Sequence, residues 1–287
     1  EECNGQRIDV VLAKLLPQYS RSQLSTWLKE GHITLDGRKL KPKDKVDPHS
    51  IIEFQADVID NQNSNEQYLP EAIPLTIIYE DDFFIIINKP AGLVVHPGAG
   101  NKDHTLVNAL LHHCPSLAAL PRAGIIHRLD KDTTGLLVVA KTLLAYTNLA
   151  RQMQAREIKR QYLALVQGHV ISGATIDTFY GRHPHNRLKM SVCSGGRQAI
   201  THYRINKHYQ EYFTLLNIVL ETGRTHQIRV HLSHINHPVF GDPLYGKRPK
   251  IPSDLPIDIQ NLLVAFRRQA LHASSLTLTH PEHHETL

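Results

Sequence analysis

Residues 123–141 read AGIIHRLDKDTTGLLVVAK. Two apolar runs of strand-like length flank a dense polar segment that ends in Thr-Thr-Gly. Polar loops between rigid strands often carry functional side chains. On composition alone, an ordinary turn that leaves Asp130 and Asp132 in water is the simpler explanation. The stretch predicts a polar turn followed by a buried strand over residues 136–140.

The segments around this stretch alternate between strand and helix patterns. Strands are predicted at residues 75–80, 83–88, 160–166 and 212–221, and helices at residues 105–113, 143–156 and 225–236. Mixed strands with intervening helices and many short turns predict an α+β fold built on a mostly antiparallel sheet.

The N-terminal part of the chain has the pattern of a small separate module over residues 1–56. A helix over residues 7–16 is followed by a second helix that ends at Gly31, and by a strand over residues 33–37. Residues 57–73 contain four acidic residues and no Lys or Arg, so we expect a flexible linker there. Residues 74–287 are then predicted to form one larger domain.

A cluster of basic residues follows the strand of this module. Residues 38–45 read RKLKPKDK, with five cations in eight residues. A solvated loop and an RNA-binding surface both explain such a run. The helix pair, the strand and the basic turn together resemble the RNA-binding module first described in ribosomal protein S-four. The resemblance implies that RNA backbone is contacted by Arg21, Lys39, Lys41 and Lys43.

Composition excludes several classes of protein. The apolar fraction of 41% is enough for a core, and the apolar runs are too short to span a membrane. Lys and Arg exceed Asp and Glu by only 32 − 27 = 5, which fits a solvated surface as well as a polyanionic partner. The three cysteines lie far apart without a CxxC pair, which argues against a disulfide framework and a cysteine zinc site. Since no apolar leader is visible, we expect a cytoplasmic protein.

Read as a whole, residues 123–141 resemble the signature of the RluA-type pseudouridine synthases, whose core is His-Arg-Leu-Asp followed by a Thr/Ser-Gly-Leu-Leu strand. Five further blocks resemble this family in the same order: residues 88–97 (NKPAGLVVHP), 160–166 (RQYLALV), 196–203 (GRQAITHY), 220–231 (LETGRTHQIRVH) and 237–246 (HPVFGDPLYG). The resemblance covers residues 75–280, and the N-terminal module points to the RluD-like subgroup.

Two departures from the family pattern stand out. Asp103 and His104 precede Thr105 where the family usually has Gly. The chain also ends at Leu287, earlier than is usual in the family, so a terminal piece is expected to be missing.

The resemblance implies that the protein converts uridine to pseudouridine in structured RNA. The reaction replaces the C1′–N1 bond by a C1′–C5 bond on the same base, so it requires neither a redox cofactor nor a metal. C1′ develops oxocarbenium character as the base leaves, and one ionised carboxylate can attack it or stabilise its charge. We assign that role to Asp130. Asp132 would point to the opposite side of an extended segment, and we therefore leave it out of the site.

Two further catalytic residues are carried over from the family blocks. Arg224 is expected to keep Asp130 charged and oriented, because a guanidinium beside a carboxylate favours its ionised form. Tyr162 matches the active-site Tyr, whose ring can stack on the freed uracil. The resemblance also implies that Arg128 fills the space left by the target base. Further RNA contacts are predicted for His127, Arg187 and Arg229.

Three alternative functions are compatible with the sequence. A metal enzyme is suggested by the 20 histidines, and especially by the helix-compatible spacing of His226, His231 and His234. A non-catalytic RNA-binding protein on the same fold is the second alternative. The same chemistry on transfer RNA, rather than on large-subunit ribosomal RNA, is the third. We expect a monomer without a metal or a cofactor.

Overall fold

The structure is a computed structural model that describes residues 5–16, 21–47, 50–54, 68–98, 100–186, 188–247 and 251–287. The chain divides into two compact units, Glu1–Leu69 and Pro70–Leu287. Most of the predicted linker, residues 57–67, lies outside the described residues. Within the described part of the chain, no helix has both the length and the apolar character needed to span a membrane.

The N-terminal unit combines two helices with a three-stranded antiparallel sheet of order β2-β1-β3. Its elements are α1 (Ile8–Leu15), α2 (Arg21–Glu30), β1 (Ile33–Leu35), β2 (Arg38–Lys39) and β3 (Ile52–Phe54). Apolar residues three or four positions apart on the two helices form its buried core, as the predicted helical spacing requires. Gly31 has a φ of +87° directly after α2, a left-handed conformation that glycine adopts without strain. All five cations of the basic run 38–45 are exposed.

The larger unit is built on a nine-stranded sheet of order β4-β5-β6-β12-β7-β11-β10-β8-β9. Its strands are β4 (Ile77–Glu80), β5 (Phe84–Lys89), β6 (Thr134–Ala140), β7 (Lys159–Gln167), β8 (Ala174–Arg182), β9 (Met190–Val192), β10 (Arg197–Tyr209), β11 (Phe213–Leu220) and β12 (Leu271–Thr277). Its helices are α3 (Leu106–His113), α4 (Leu143–Gln154), α5 (Gln227–His234) and α6 (Ile257–Ala265). Among the described strands only β6 and β12 pair in parallel. The predicted α+β class with a mostly antiparallel sheet is confirmed.

Strand β6 carries the polar turn at its beginning, and it is deeply buried. The helix α4 packs over β5 and β6, and the shared core includes Phe84, Val138, Ala145 and Leu149. Burying a side chain such as Phe84, Val138 or Leu149 stabilises the fold by about 1.5–3 kcal/mol. The segment that precedes β6 is therefore anchored to a strand in the buried core of the larger unit.

Two local predictions differ from the structure. Asp132 was placed opposite Asp130 on the condition that their segment is extended, but the N–H of Thr133 donates to the carbonyl of Asp130 at 3.1 Å and closes a tight turn, as the polar turn predicted there requires. The helix expected to start at residue 225 begins at Gln227, because His226 adopts a left-handed φ of +58° immediately before it. Both differences lie at the ends of elements, where backbone periodicity carries least information.

We predict that Gly135→Ala destabilises the larger unit by about 3 kcal/mol, since forced overpacking costs that much. Gly135 has a φ of +115°, and a Cβ atom there would lie 2.2 Å from the carbonyl oxygen of Ala273, on the neighbouring strand β12. Urea denaturation followed by circular dichroism measures the change. Gly98→Ala is the matched control, because nothing lies within 4 Å of its added Cβ. Equal stabilities for the two variants would contradict the close approach of β6 and β12.

Candidate active site

The turn Asp130-Lys131-Asp132-Thr133 is held by side chains from other parts of the larger unit. The Nζ of Lys89, at the end of β5, donates to the carbonyl of Lys131 at 2.8 Å. Two residues that precede β12 complete the clamp: Arg268 donates to the carbonyl of Asp132 at 3.4 Å, and Gln269 donates to the Oγ1 of Thr133 at 3.0 Å. The backbone of Asp130 is therefore fixed by strands on both sides of β6.

Asp132 lies outside the cleft that Asp130 lines, although not for the reason given by the sequence. An extended segment, the condition set for that expectation, would have placed the two side chains on opposite sides. In the observed turn, Asp130 faces the cleft and Asp132 does not line it. Instead, the charge of Asp132 acts on Lys89, where it opposes the lowering of the lysine pKa by burial.

Arg229 bridges two carboxylates at the floor of the cleft. Its Nε and Nη2 donate to the two oxygens of Asp242 at 2.7 and 2.9 Å, which is a bidentate pair. Its Nη1 donates to the Oδ2 of Asp130 at 2.8 Å. The side chains are 0% exposed for Asp242, 6% for Arg229 and 18% for Asp130, so exposure increases toward the cleft. Asp130 is thus the most exposed member of this cluster.

The electrostatics of the cluster favour the charged forms. Burial alone would raise the pKa of Asp242, but the hydrogen bonds and charge of Arg229 outweigh it and hold that pKa below its ordinary value. Burial opposes the charge of Arg229 as well, and the two carboxylates raise its pKa above the ordinary value. The guanidinium also lies over the ring of Tyr245, 5.2 Å from its centroid.

His226 lies beside this cluster, before the first turn of α5. Its Nδ1 is 2.8 Å from the hydroxyl of Tyr245, and its Nε2 is 3.9 Å from the Oδ1 of Asp130. Burial lowers the pKa of His226 below its ordinary value, against the attraction of Asp130. The imidazole is therefore neutral at neutral pH and does not compete with Arg229 for the carboxylate.

The contact expected between Arg224 and Asp130 is not made. The Nε and Nη2 of Arg224 both lie 3.4 Å from the carbonyl oxygen of Gln198. Arg224 belongs to the loop before α5, where the side chain of Gln227 accepts a hydrogen bond from its backbone N–H. Arg229 lies on the buried face of the first turn of α5 and reaches the carboxylate instead. The prediction of a guanidinium on Asp130 is correct, but the residue assigned to it is wrong.

Tyr162 lies on β7 and lines the same cleft as Asp130 and Arg224. The residue is 5% exposed, and its strand is paired on both sides, by β11 and by β12. Burial raises the pKa of its hydroxyl; the nearby Arg160 opposes this shift and Asp130 adds to it. The hydroxyl is therefore protonated at neutral pH.

The cleft encloses about 500 Å³, a volume typical of ligand sites. It is lined by six arginines, Arg122, Arg128, Arg156, Arg160, Arg224 and Arg229. Among the described residues, two carboxylates line it, Asp130 and Glu221, and each accepts a hydrogen bond from a guanidinium. The wall therefore carries an excess of positive charge.

The other predicted RNA contacts have different outcomes. Arg128 is exposed and lines the cleft, as does the half-buried His127. Arg229, for which an RNA contact was also predicted, is buried and paired with the two carboxylates of Asp130 and Asp242. Arg187 and the side chain of Arg21 lie outside what the structure describes.

The histidines proposed as metal ligands make protein contacts. Both ring nitrogens of His231 are within hydrogen-bond distance of threonine hydroxyls, Thr178 at 3.1 Å and Thr201 at 2.9 Å. His226 contacts Tyr245, and His234 is exposed at the end of α5. Across the described residues, no group of three or more His, Cys, Asp or Glu is arranged to hold a metal ion.

Two residues of this site were not identified from the sequence. Asp242 and Tyr245 lie in the block of residues 237–246, which was noted without a role for its individual residues. The signal that identifies Asp242 is its lack of exposure, since a carboxylate is almost never fully buried unless it is paired. Burial of that kind is not visible in a single sequence.

Comparisons with known proteins identify both units. Residues 83–234 match the family described as RNA pseudouridylate synthase, and residues 6–52 match the S4 domain. The chain is 51% identical over 277 residues to ribosomal large subunit pseudouridine synthase D of Xanthomonas campestris, covering 96% of this chain and 82% of that protein. The protein of the same name from Escherichia coli K12 is 50% identical over 278 residues, covering 96% of this chain and 84% of that one.

Solved structures show the same relationship. Human RNA pseudouridylate synthase domain containing 1 superposes with a TM-score of 0.59 at 27% identity, covering 76% of this chain and 82% of that one. Human RNA pseudouridylate synthase domain containing 4 gives a TM-score of 0.57 at 26% identity, covering 74% of this chain and 86% of that one.

We predict that Asp242→Asn destabilises the larger unit by about 3 kcal/mol at pH 7, because it breaks a buried ion pair. The folded pKa of Asp242 is depressed, so its contribution is present above its unfolded pKa and is lost as pH falls through the folded value. The stability difference from the wild type should therefore shrink below about pH 4, the ordinary Asp pKa. Urea denaturation at several pH values measures it, with the exposed Asp82→Asn as control. A pH-independent difference would argue against the ion pair as the cause.

Proposed function

The chain belongs to the RNA pseudouridylate synthase family, and on that premise we propose that it isomerises specific uridines of large-subunit ribosomal RNA with Asp130 as the catalytic carboxylate. The observation that carries the assignment is the contact of Asp130 with Arg229 at the floor of a cationic cleft. Asp130 is the partly exposed carboxylate of that cluster. We infer the substrate class from the names of the bacterial relatives. We also propose that the chain acts on this RNA in the cytoplasm.

The geometry of Asp130 suits an attack on C1′. Its Oδ2 is occupied by the Nη1 of Arg229. Its Oδ1 accepts no hydrogen bond from a described residue, since the Nε2 of His226 is 3.9 Å away. In our proposal, Oδ1 attacks C1′ or stabilises its positive charge while N1 leaves with the bonding electrons. The freed uracil then turns and bonds to C1′ through C5, which displaces Oδ1 as a carboxylate wherever an ester to C1′ had formed. C5 loses its proton and N1 takes up one proton, so the base is neither oxidised nor reduced and no group leaves.

Tyr162 is proposed to hold the uracil during this rearrangement. Its ring lines the cleft beside Asp130, and an aromatic ring is a suitable stacking surface for a base. The raised pKa keeps its hydroxyl protonated at neutral pH, so the hydroxyl is a hydrogen-bond donor to the uracil. A ring held on a central strand can keep the freed base close to C1′.

RNA binding is proposed to involve both units. The exposed Arg128 is placed to enter the space left by the target base, whose removal from the stack costs a few kcal/mol. The exposed cations Lys39, Lys41 and Lys43 of the N-terminal unit would neutralise phosphates of a structured RNA. This division places base recognition in the cleft and general affinity in the basic turn.

We expect a strain that lacks the gene to lose pseudouridine at defined positions of its large-subunit ribosomal RNA. A plasmid copy of the natural chain should restore them, while Asp130→Asn should bind the RNA but lower the rate by at least about 10³-fold, since the loss of a nucleophile has effects of that order. Mass spectrometry of ribosomal and transfer RNA fragments measures the sites.

The same experiment separates the alternatives. Loss of pseudouridine only from transfer RNA would replace the proposed substrate, and an unchanged set of modifications would favour a non-catalytic role. Full activity of Asp130→Asn would remove Asp130 from the mechanism. Circular dichroism of the purified variant, which should match that of the wild type, controls for folding.

We further expect Arg229→Lys and Arg224→Lys to affect different kinetic constants. Lysine cannot replace the forked donor set that joins Asp242 to Asp130, so Arg229→Lys should lower kcat by about 10²-fold or more. Arg224 faces the cleft without contacting the carboxylate, so Arg224→Lys should act mainly on KM for RNA. Single-turnover and steady-state rates on one RNA transcript distinguish the two. The reverse pattern would restore the catalytic role to Arg224.

A further inference from the structure

Four of the six arginines in the cleft have no carboxylate partner among the described residues. Asp130 is taken by Arg229, and Glu221 by Arg156. The unpaired arginines are Arg122, Arg128, Arg160 and Arg224. Three of them are exposed or contact a backbone carbonyl, whereas Arg160 has a buried Nε that makes no hydrogen bond. Arg160 is therefore the one of these four arginines with a buried donor that no described acceptor satisfies.

The position of Arg160 is well defined by the fold. It lies two residues before Tyr162 on β7, so the two side chains leave the strand on the same face. Its backbone pairs with Leu276 of β12. Its guanidinium lies against Gly223, where an added Cβ atom would be only 2.7 Å from Nη1. The absence of a side chain at residue 223 is what makes room for the guanidinium in the cleft.

A second buried donor in the same wall also lacks an acceptor. The Nε2 of His127 accepts a hydrogen bond from the backbone N–H of Val138 at 3.3 Å, which leaves the ring proton on Nδ1. That Nδ1 is buried and has no partner. Burial, together with the charge of Arg160, lowers the pKa of His127 to about 3, so the ring is neutral. Of three unpartnered buried side-chain atoms in the described residues, two belong to this one wall.

Buried donors without acceptors are rare in folded proteins, and a bound ion that supplies the acceptor is one explanation for them. A planar guanidinium without a counter-ion fits an anion with two adjacent oxygens. The anion that an RNA substrate brings is its backbone phosphate. We propose that Arg160 binds a backbone phosphate that flanks the target uridine, with the Nδ1–H of His127 as a neighbouring donor; this inference rests on the proposed RNA substrate.

The test is a double-mutant cycle between Arg160 and single phosphates. A synthetic RNA stem-loop that contains one mapped target uridine is made with a neutral methylphosphonate at the linkage 5′ or 3′ to that uridine. For the wild-type chain, one of the two substitutions should weaken binding about tenfold, as expected for a hydrogen bond to a charged group. Arg160→Met should weaken binding of the unmodified RNA by a similar factor. The two changes together should cost no more than either alone.

The salt dependence gives a second readout that a loss of packing would not change. Removing one phosphate contact should reduce the slope of log Kd against log salt by about one. Arg160→Lys keeps the charge and should retain most of the slope. Arg151→Met is the matched control: it removes the same charge from an exposed position of α4 that does not line the cleft. Circular dichroism and thermal melting of each variant verify folding.

The outcomes separate this inference from the proposed function. If the wild-type chain forms pseudouridine but Arg160→Met binds both methylphosphonate RNAs with additive losses, the phosphate contact is wrong and the proposed function stands. A loss in Arg160→Met with an unchanged salt slope would indicate a contact with uracil or ribose and would also overturn the inference. If the wild-type chain modifies no RNA at all, the proposed function fails first, and the phosphate contact fails with it.

Discussion

The active site depends on one interaction, the ion pairing of the Arg229 guanidinium with Asp242 and Asp130. Asp242 is fully buried, and a carboxylate in that position requires a cation to remain charged. The bidentate contact of Nε and Nη2 with Asp242 fixes the orientation of the guanidinium. Its remaining nitrogen, Nη1, then donates to Asp130. The cluster holds two negative charges and one positive charge. An oxocarbenium charge that develops at C1′ would make it neutral, which favours the transition state over the ground state.

Much of this architecture could be predicted from the sequence. The strand β6, the helices α3 and α4 and the hairpin of β4 and β5 follow from apolar periodicity, and the family blocks bring Asp130 and Tyr162 into one cleft. The choice between Arg224 and Arg229 could not be made in this way. Both lie in one block, and the choice depends on where α5 begins and on Asp242, a residue in a separate loop. Local patterns do not contain that information.

The arginines of the cleft divide by their partners into two functional groups. Arg229 and Arg156 are neutralised by carboxylates, so their charges organise the protein. Arg122, Arg128, Arg160 and Arg224 have no acidic partner among the described residues, so their charges remain available to an anionic substrate. Composition showed a net charge of only +5, which did not distinguish a solvated surface from a polyanion site. The ion pairs inside the cleft distinguish the two, because arginines that lack a carboxylate partner leave a local excess of positive charge that attracts an anion.

The rigidity of the site determines which partner has to move. Lys89, Arg268 and Gln269 hold the turn of Asp130 from two directions, and Tyr162 lies on a strand that is paired on both sides. In the proposed mechanism, neither Asp130 nor Tyr162 can follow a base that stays within a helix of RNA, so the nucleotide would have to leave its stack and enter the cleft. That step costs a few kcal/mol. Contacts far from C1′ can offset this cost without slowing the chemical step, since binding energy from remote parts of a substrate can position its reacting centre.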